Sequence, residues 1–200
     1  MFKFITEFLE TSGYLGVFVL MALENIFPPI PSELIMPFAG FVVARGDLSL
    51  AGVLLAGTAG SIAGALPWYY GARIFGKERL KSFAGRHARW LTVTSDDVDG
   101  AIGVFNRHGR LAVLFGRLIP AIRTLISVPA GLARMPISQF LLYSTIGSLV
   151  WTAFLTAGGF LLESNYERIG VYIDPVSKII LGALLGWYLY RVVTYRPEKA

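Results

Sequence analysis

The chain has 200 residues, 54% of them hydrophobic and only 16% charged, with a mean hydropathy of +0.60. An ordinary soluble domain carries about 25% charged residues, so this balance argues against a water-soluble enzyme and for a membrane protein. There is no cysteine, which excludes a disulfide framework, a thiol nucleophile and a Cys-based metal site; the net charge of +5 comes from bases placed as membrane flanks rather than gathered into a nucleic-acid footprint.

From the N-terminus, Lys3, Glu7 and Glu10 mark an interfacial start. An apolar stretch from Gly13 to Leu23 follows and reads as a first spanning helix. The two acids and the lack of a small-x-small cleavage site argue against a removed signal peptide. The segment Glu24-Asn25-Ile26-Phe27-Pro28-Pro29-Ile30-Pro31-Ser32-Glu33 comes next. Three prolines so close cannot continue an α-helix. The apolar run from Leu34 to Ala44 is too short to span, so it reads as re-entrant. After the turn Arg45-Gly46-Asp47, residues 48–72 contain no Asp, Glu, Lys or Arg. That run exceeds the roughly 20 residues a spanning helix needs. Gly60 and Gly64 form a G-x-x-x-G within it, a sign of close helix packing.

Residues 73–110 are the polar middle, with eight bases and four acids. Thr94-Ser95-Asp96-Asp97 is a helix start, and Val98, Ile102 and Phe105 share one face. Amphipathic helices on the membrane surface are expected here. A second broken segment, Leu111 to Arg134, carries Arg117, Pro120, Arg123 and Pro129. Residues 137–162 are again uncharged. Residues 163–178 lean acidic, and a last spanning helix is expected over about 178–193, flanked by Lys178 and Arg191.

Lys and Arg gather on the cytoplasmic side of a bilayer. This places 73–110 and both termini inside and 163–178 outside, so the two long uncharged helices run in opposite directions. The halves also share a frame. Pro28 and Pro37 are nine apart, as are Pro120 and Pro129; Ile30 matches Ile122, Ser32 matches Thr124, and Ala39-Gly40 answers Ala130-Gly131 with an offset of one. Inverted repeats with broken helices near the midplane mark secondary transporters. The expected architecture is an all-α membrane protein in a single transmembrane domain. Repeat one covers about 14–72, the cytoplasmic amphipathic region 73–110, repeat two about 111–162, and the last helix about 178–193.

Only four charged residues fall inside the apolar segments: Glu24, Glu33, Arg117 and Arg123. Charges there are costly unless paired or lining a wet cavity, and they are functional candidates by default. Arg117 and Arg123 are the expected receptors of an anionic headgroup, since guanidinium matches phosphate geometry. Glu24 and Glu33 are the expected proton acceptors, alternately paired with Arg and protonated. Ser32 and Thr124 are expected to contact substrate or to cap the helices that follow the breaks. The bland alternative is a set of structural ion pairs. His87 and His108 stand 21 residues apart with no Cys nearby, so no metal or cofactor is expected. Trp68, Tyr69, Tyr70 and Trp151 read as interface anchors or core.

These motifs resemble the DedA family, also called the SNARE-associated or VTT-domain family. The resemblance rests on Glu24-Asn25 with Pro28-Pro29-x-Pro31-Ser32-Glu33 and on Tyr70-Gly71-x-Arg73-x-x-Gly76. It rests above all on Phe115-Gly116-Arg117-x-x-Pro120-x-x-Arg123-Thr124-x-x-Ser127-x-x-Ala130-Gly131, continued by Met135, Phe140, Gly147 and Trp151. It spans about residues 14–160. The resemblance implies a multi-pass protein of the bacterial inner membrane needed for envelope integrity. Some relatives are similar to translocases of undecaprenyl phosphate, others to phospholipid transporters or scramblases, and proton coupling is proposed for several. The family's required acids and arginines fall on Glu24, Glu33, Arg117 and Arg123, although some members carry an Asp after a longer loop where this chain has Glu33. The leading expectation is therefore a non-enzymatic flippase for a lipid phosphate, driven by the proton gradient, whose partners are an anionic membrane lipid and protons and which is open to homo-oligomer formation. The alternatives are a scramblase, an oxyanion transporter, a lipid phosphatase or intramembrane protease, and an envelope assembly factor that transports nothing.

Overall fold

The computed structural model describes residues 2–26, 32–80, 95–120 and 122–161. The triple-proline turn, His87, the acidic segment 163–178 and the expected last helix at 178–193 lie outside these residues. The described part is helical, with six helices and no strand: α1 Phe2–Ile26, α2 Ser32–Ala44, α3 Leu50–Phe75, α4 Ser95–Gly116, α5 Ser127–Leu132 and α6 Ile137–Leu161.

Two of them, α3 with 26 residues and α6 with 25, are long and apolar enough to cross a membrane. At 1.5 Å per residue either one exceeds a hydrocarbon core of about 30 Å. They are not the sequestered core of a soluble globule, because only 39% and 33% of their most apolar stretches are buried. Leu55 on α3 and Phe154 on α6 are about two-thirds exposed, as lipid-facing side chains are. The α3 helix starts where the Ser49 hydroxyl accepts the Gly52 N–H at 3.1 Å. It ends at Gly76, whose φ of 78° closes the last turn.

The first apolar stretch behaves differently from the spanning helix expected of it. α1 is broken at Gly13, where φ is 53° and ψ is −133°, a conformation that glycine adopts at little cost. Beyond the break, Tyr14–Ile26 reach only ~20 Å, short of a bilayer. This arm lies parallel to α3. Gly52 meets Tyr14, and a Cβ at Gly60 or Gly64 would strike the carbonyl of Phe18 or Ala22, so the G-x-x-x-G seats α1. α2 runs back to the end from which the arm of α1 began, where Tyr14 and Ser49 are hydrogen-bonded.

In the second half a long helix is again accompanied by one that runs beside it and a short one that returns. The amphipathic helix and the first part of the second broken segment form one helix, α4, kinked at His108 (φ −131°, ψ 20°). α4 runs parallel to α6, as the Arg110–Gln139 bond and the close approach of Gly147 to Leu114 fix. Short α5 then returns to the start of α6. The halves also exchange contacts: α2 packs on α6, and α5 packs on α3. Gly40 is seated against the α6 backbone at Thr156, and Gly131 against the α3 backbone at Tyr69. α3 and α6 themselves cross antiparallel, with Thr58 on Thr152 and Ser61 on Ser148, each pair 3.3 Å apart.

Packing divides into two apolar clusters. One gathers Val17, Met21, Ile35, Met36 and Phe38; the other gathers Tyr69, Val113, Ile126, Met135 and Phe140. The tips of the two hairpins, where α1 gives way to α2 and α4 to α5, carry the polar residues.

Candidate functional site

Each tip contributes its last helical residues before the break and its first after it. From the first come Glu24, Asn25 and Ser32; from the second, Arg117, Arg123 and Ser127. All six are buried, with Glu24 and Arg123 each 4% exposed and Arg117 2%. Burial of this depth makes every polar atom's partner an energetic question.

Glu24 Oε1 and Arg123 Nη2 form a salt bridge across the two halves. The Arg123 guanidinium also lies 6.0 Å from the Trp151 ring centroid, within cation–π range. Trp151 in turn donates its indole N–H to Ser32 Oγ at 3.4 Å, so α6 is tied to the start of α2 beside the ion pair.

Among the described residues Arg117 has no acid partner. Its Nη2 donates to Ser127 Oγ at 3.1 Å and its Nη1 to Asn25 Oδ1 at 3.5 Å. The guanidinium sits 5.9 Å from the Phe140 ring centroid. Asn25 is held in turn: Nδ2 donates to the Met21 carbonyl at 3.2 Å and to Ser61 Oγ at 3.4 Å, and its carbonyl accepts Trp68 Nε1 at 2.7 Å. At this centre Glu24 Oε2 and Arg117 Nε have no hydrogen-bond partner among the described residues.

The arithmetic of charge follows. Among the described residues the buried centre holds two guanidinium groups and one carboxylate. One cation is compensated, while the other, Arg117, is solvated only by neutral dipoles. A buried charge in that state is strongly unfavourable, and an anion arriving there would match both its charge and its free donor.

The sequence-predicted residues divide accordingly. Glu24, Arg117 and Arg123 converge, and Ser32 joins them through Trp151. Glu33, partly buried in the first turn of α2, has no ion pair among the described residues. Thr124 is partly exposed and forms no hydrogen bond among the described residues. The expectation that both acids would meet arginines thus holds for one pair. Sequence reasoning missed Asn25 and Ser127 as partners of Arg117, and Trp151 as the link between Arg123 and Ser32. All three stood in the quoted motifs, but neutral side chains carry no charge signal. His108 stands exposed at the α4 kink, and among the described residues no three His, Cys, Asp or Glu side chains gather as a metal site would need.

A helical protein with two long lipid-exposed helices and a buried, charged centre between broken helix tips is an integral membrane protein. Residues 30–161 match the model of the VTT domain, and the chain belongs to that family, the DedA family. It is 40% identical over 185 residues to an "alkaline phosphatase-like protein" of Lactococcus lactis, covering 92% of this chain and 86% of that one. It is 34% identical over 197 residues to undecaprenyl phosphate transporter A of Staphylococcus aureus, covering 98% and 97%. It is 33% identical to the membrane protein YkoX of Bacillus subtilis, covering 96% and 84%. No solved structure matches the chain.

Proposed function

We propose that the protein is a translocase of a lipid phosphate, with undecaprenyl phosphate as the leading cargo, in a bacterial inner membrane. The observation that carries this reading is Arg117, a buried guanidinium with neutral partners and one free donor. A phosphate headgroup supplies the missing charge and accepts in the planar, forked geometry that guanidinium favours. Arg123 is the second headgroup ligand, exchanged from Glu24 when cargo arrives. Ser32, held by Trp151, and Thr124, next to Arg123 in sequence, are the further headgroup contacts of this reading. Likeness to the Staphylococcus transporter over nearly the full length of both chains supports the cargo class.

In this reading the two tips are re-entrant hairpins of an inverted repeat. Support comes from the parallel pairing of each hairpin with its own long helix, the antiparallel crossing of those helices, and the exchanged seats of Gly40 and Gly131. Hairpins that enter from opposite faces and meet at the centre are the plan of alternating-access carriers. Glu24 couples transport to protons: displaced from Arg123 by cargo, its carboxylate loses its counter-charge in a dry site and takes up a proton. Glu33 provides a second such site nearer the end of the hairpin.

The test is transbilayer movement of labelled undecaprenyl phosphate in proteoliposomes, with and without an imposed pH gradient. Wild type, Arg117→Ala, Arg123→Ala and Glu24→Gln are compared. Movement that requires these residues and responds to the gradient is expected. Absence of movement by folded wild-type protein would rule out this cargo and leave phospholipid or oxyanion transport to be tried.

The name of the Lactococcus relative favours a second reading, hydrolysis of a phosphate ester. The same vesicles decide it. Release of inorganic phosphate from the labelled lipid, abolished by Arg117→Ala, would make the protein an enzyme. If instead Arg117→Lys, which keeps the buried charge, loses abundance in step with activity, the assembly-factor role is favoured.

A further inference from the structure

A cavity of about 440 Å³ opens at the α4 kink, away from the buried centre. Arg107, His108, Arg110, Phe105, Met135 and Gln139 are among the residues that line it, and its lining contains no acid. Positively charged residues at a membrane flank are common, and a bland flank is the alternative here. Two observations separate this pocket from such a flank.

The first is the state of its arginines. Lys77, on the same end of the molecule, is neutralised by Asp99 at 3.0 Å. Arg107 and Arg110 have no ion pair among the described residues. Arg110 donates through Nε to Gln139 Oε1 at 3.2 Å, which braces its guanidinium against α6 and leaves both terminal nitrogens for a ligand. Behind the wall, Arg73 Nη1 donates to the Met135 carbonyl at 3.2 Å and adds a third positive charge. The second observation is register. Arg110 and Arg117 are seven residues apart beyond the kink, hence on one face of α4 and about 10 Å apart.

We propose that this pocket is a separate receiving site for a phosphomonoester anion, placed two helical turns ahead of Arg117. That it feeds a transport route rests on the function proposed above; that it binds the anion does not. The chain is naturally free of cysteine, so Asn106→Cys, on the pocket lining, gives a single reporter thiol in purified protein. Ala133→Cys on another wall is a second reporter in case the first disturbs folding. The rate of maleimide labelling is measured with dihexanoyl phosphatidic acid, with inorganic phosphate, and with dihexanoyl phosphatidylcholine as the zwitterionic control.

Phosphatidic acid is expected to slow labelling roughly tenfold at about ten times its Kd, as simple occupancy requires. Arg107→Gln with Arg110→Gln is expected to remove the protection, and Glu24→Gln with Arg123→Gln, which removes both members of the buried pair, to leave it intact. Protection by inorganic phosphate as well assigns recognition to the anion alone; protection by phosphatidic acid only assigns it to a lipid headgroup. No protection by either probe, or equal protection by phosphatidylcholine, overturns the proposal. So does loss of protection in the folded Glu24→Gln, Arg123→Gln double variant, because the pocket would then not be a site of its own.

Discussion

Glu24 and Arg123 depend on each other more than on their surroundings. Removing one member of a buried pair leaves an uncompensated charge and costs about 3–5 kcal/mol, while removing both is far milder. Glu24→Gln is therefore expected to lower the melting temperature of detergent-purified protein strongly, and Glu24→Gln with Arg123→Gln to recover part of the loss. Additive losses would show that the two side chains do not interact. Asn25→Ala removes the acceptor beside Arg117 and a donor to Ser61, and should cost about 1–3 kcal/mol by leaving buried polar atoms unsatisfied. Arg117→Lys keeps the charge but discards the fork; it is expected to leave folding intact and to weaken phosphate-lipid transport at least severalfold. At this scale the sequence discloses charge and hides company. Glu24, Arg117 and Arg123 stand out because a charged residue in an apolar run has no ordinary explanation. Asn25, Ser127 and Trp151 do not, since their importance arises only from what the folded chain sets beside them.

Helices settle against one another here by surrendering side chains. Gly131 is seated so closely on α3 that a Cβ would meet the Tyr69 carbonyl, whereas Gly71, two residues along α3 from that same Tyr69, has nothing within 4 Å of the position a Cβ would take. Gly131→Ala is expected to destabilise by about 1–3 kcal/mol through overpacking. Gly71→Ala should be neutral or slightly stabilising, because alanine suits a helix interior better than glycine. Equal effects in thermal unfolding would contradict this picture of the contact. The long helices were legible as uncharged runs of spanning length, and Gly60 and Gly64 as a packing motif. The start of α4 was legible from Ser95 and its acidic neighbours. What the pattern of hydropathy did not disclose was the break at Gly13 and the continuity of α4 through His108. Both are matters of backbone torsion, and an apolar residue on either side of a kink is no less apolar for it.

For the molecule as a whole, the proposed inverted repeat implies a topology that can be probed from outside. Asp47→Cys lies in the turn after the first hairpin, and Asn106→Cys lies beside the base of the second. In sealed, oriented vesicles an impermeant maleimide is expected to reach one of them from each side. Reaction of both from the same side would refute the inverted arrangement. That α3 and α6 run in opposite directions was readable from the distribution of Lys and Arg. The exchange of partners between the halves, α2 on α6 and α5 on α3, was not, because a repeat in sequence does not say which copy each element will choose.

The contact between α3 and α6 has a mechanical consequence. Ordinary helix pairs interlock through large side chains that must unmesh before the helices can slip. Here the meeting surfaces are hydroxyls, Thr58 on Thr152 and Ser61 on Ser148, in pairs where either oxygen can be the donor. Ser144 and Thr156 extend the line on α6, buried and with unused hydroxyls. On the transport reading proposed above, a small tilt would trade one such bond for the next without stranding a donor, and the seam would act as a lubricated bearing between the two halves. Replacing Ser148 with leucine would set a cog into that bearing, and a carrier jammed in this way is expected to bind its cargo yet no longer release it on the other side.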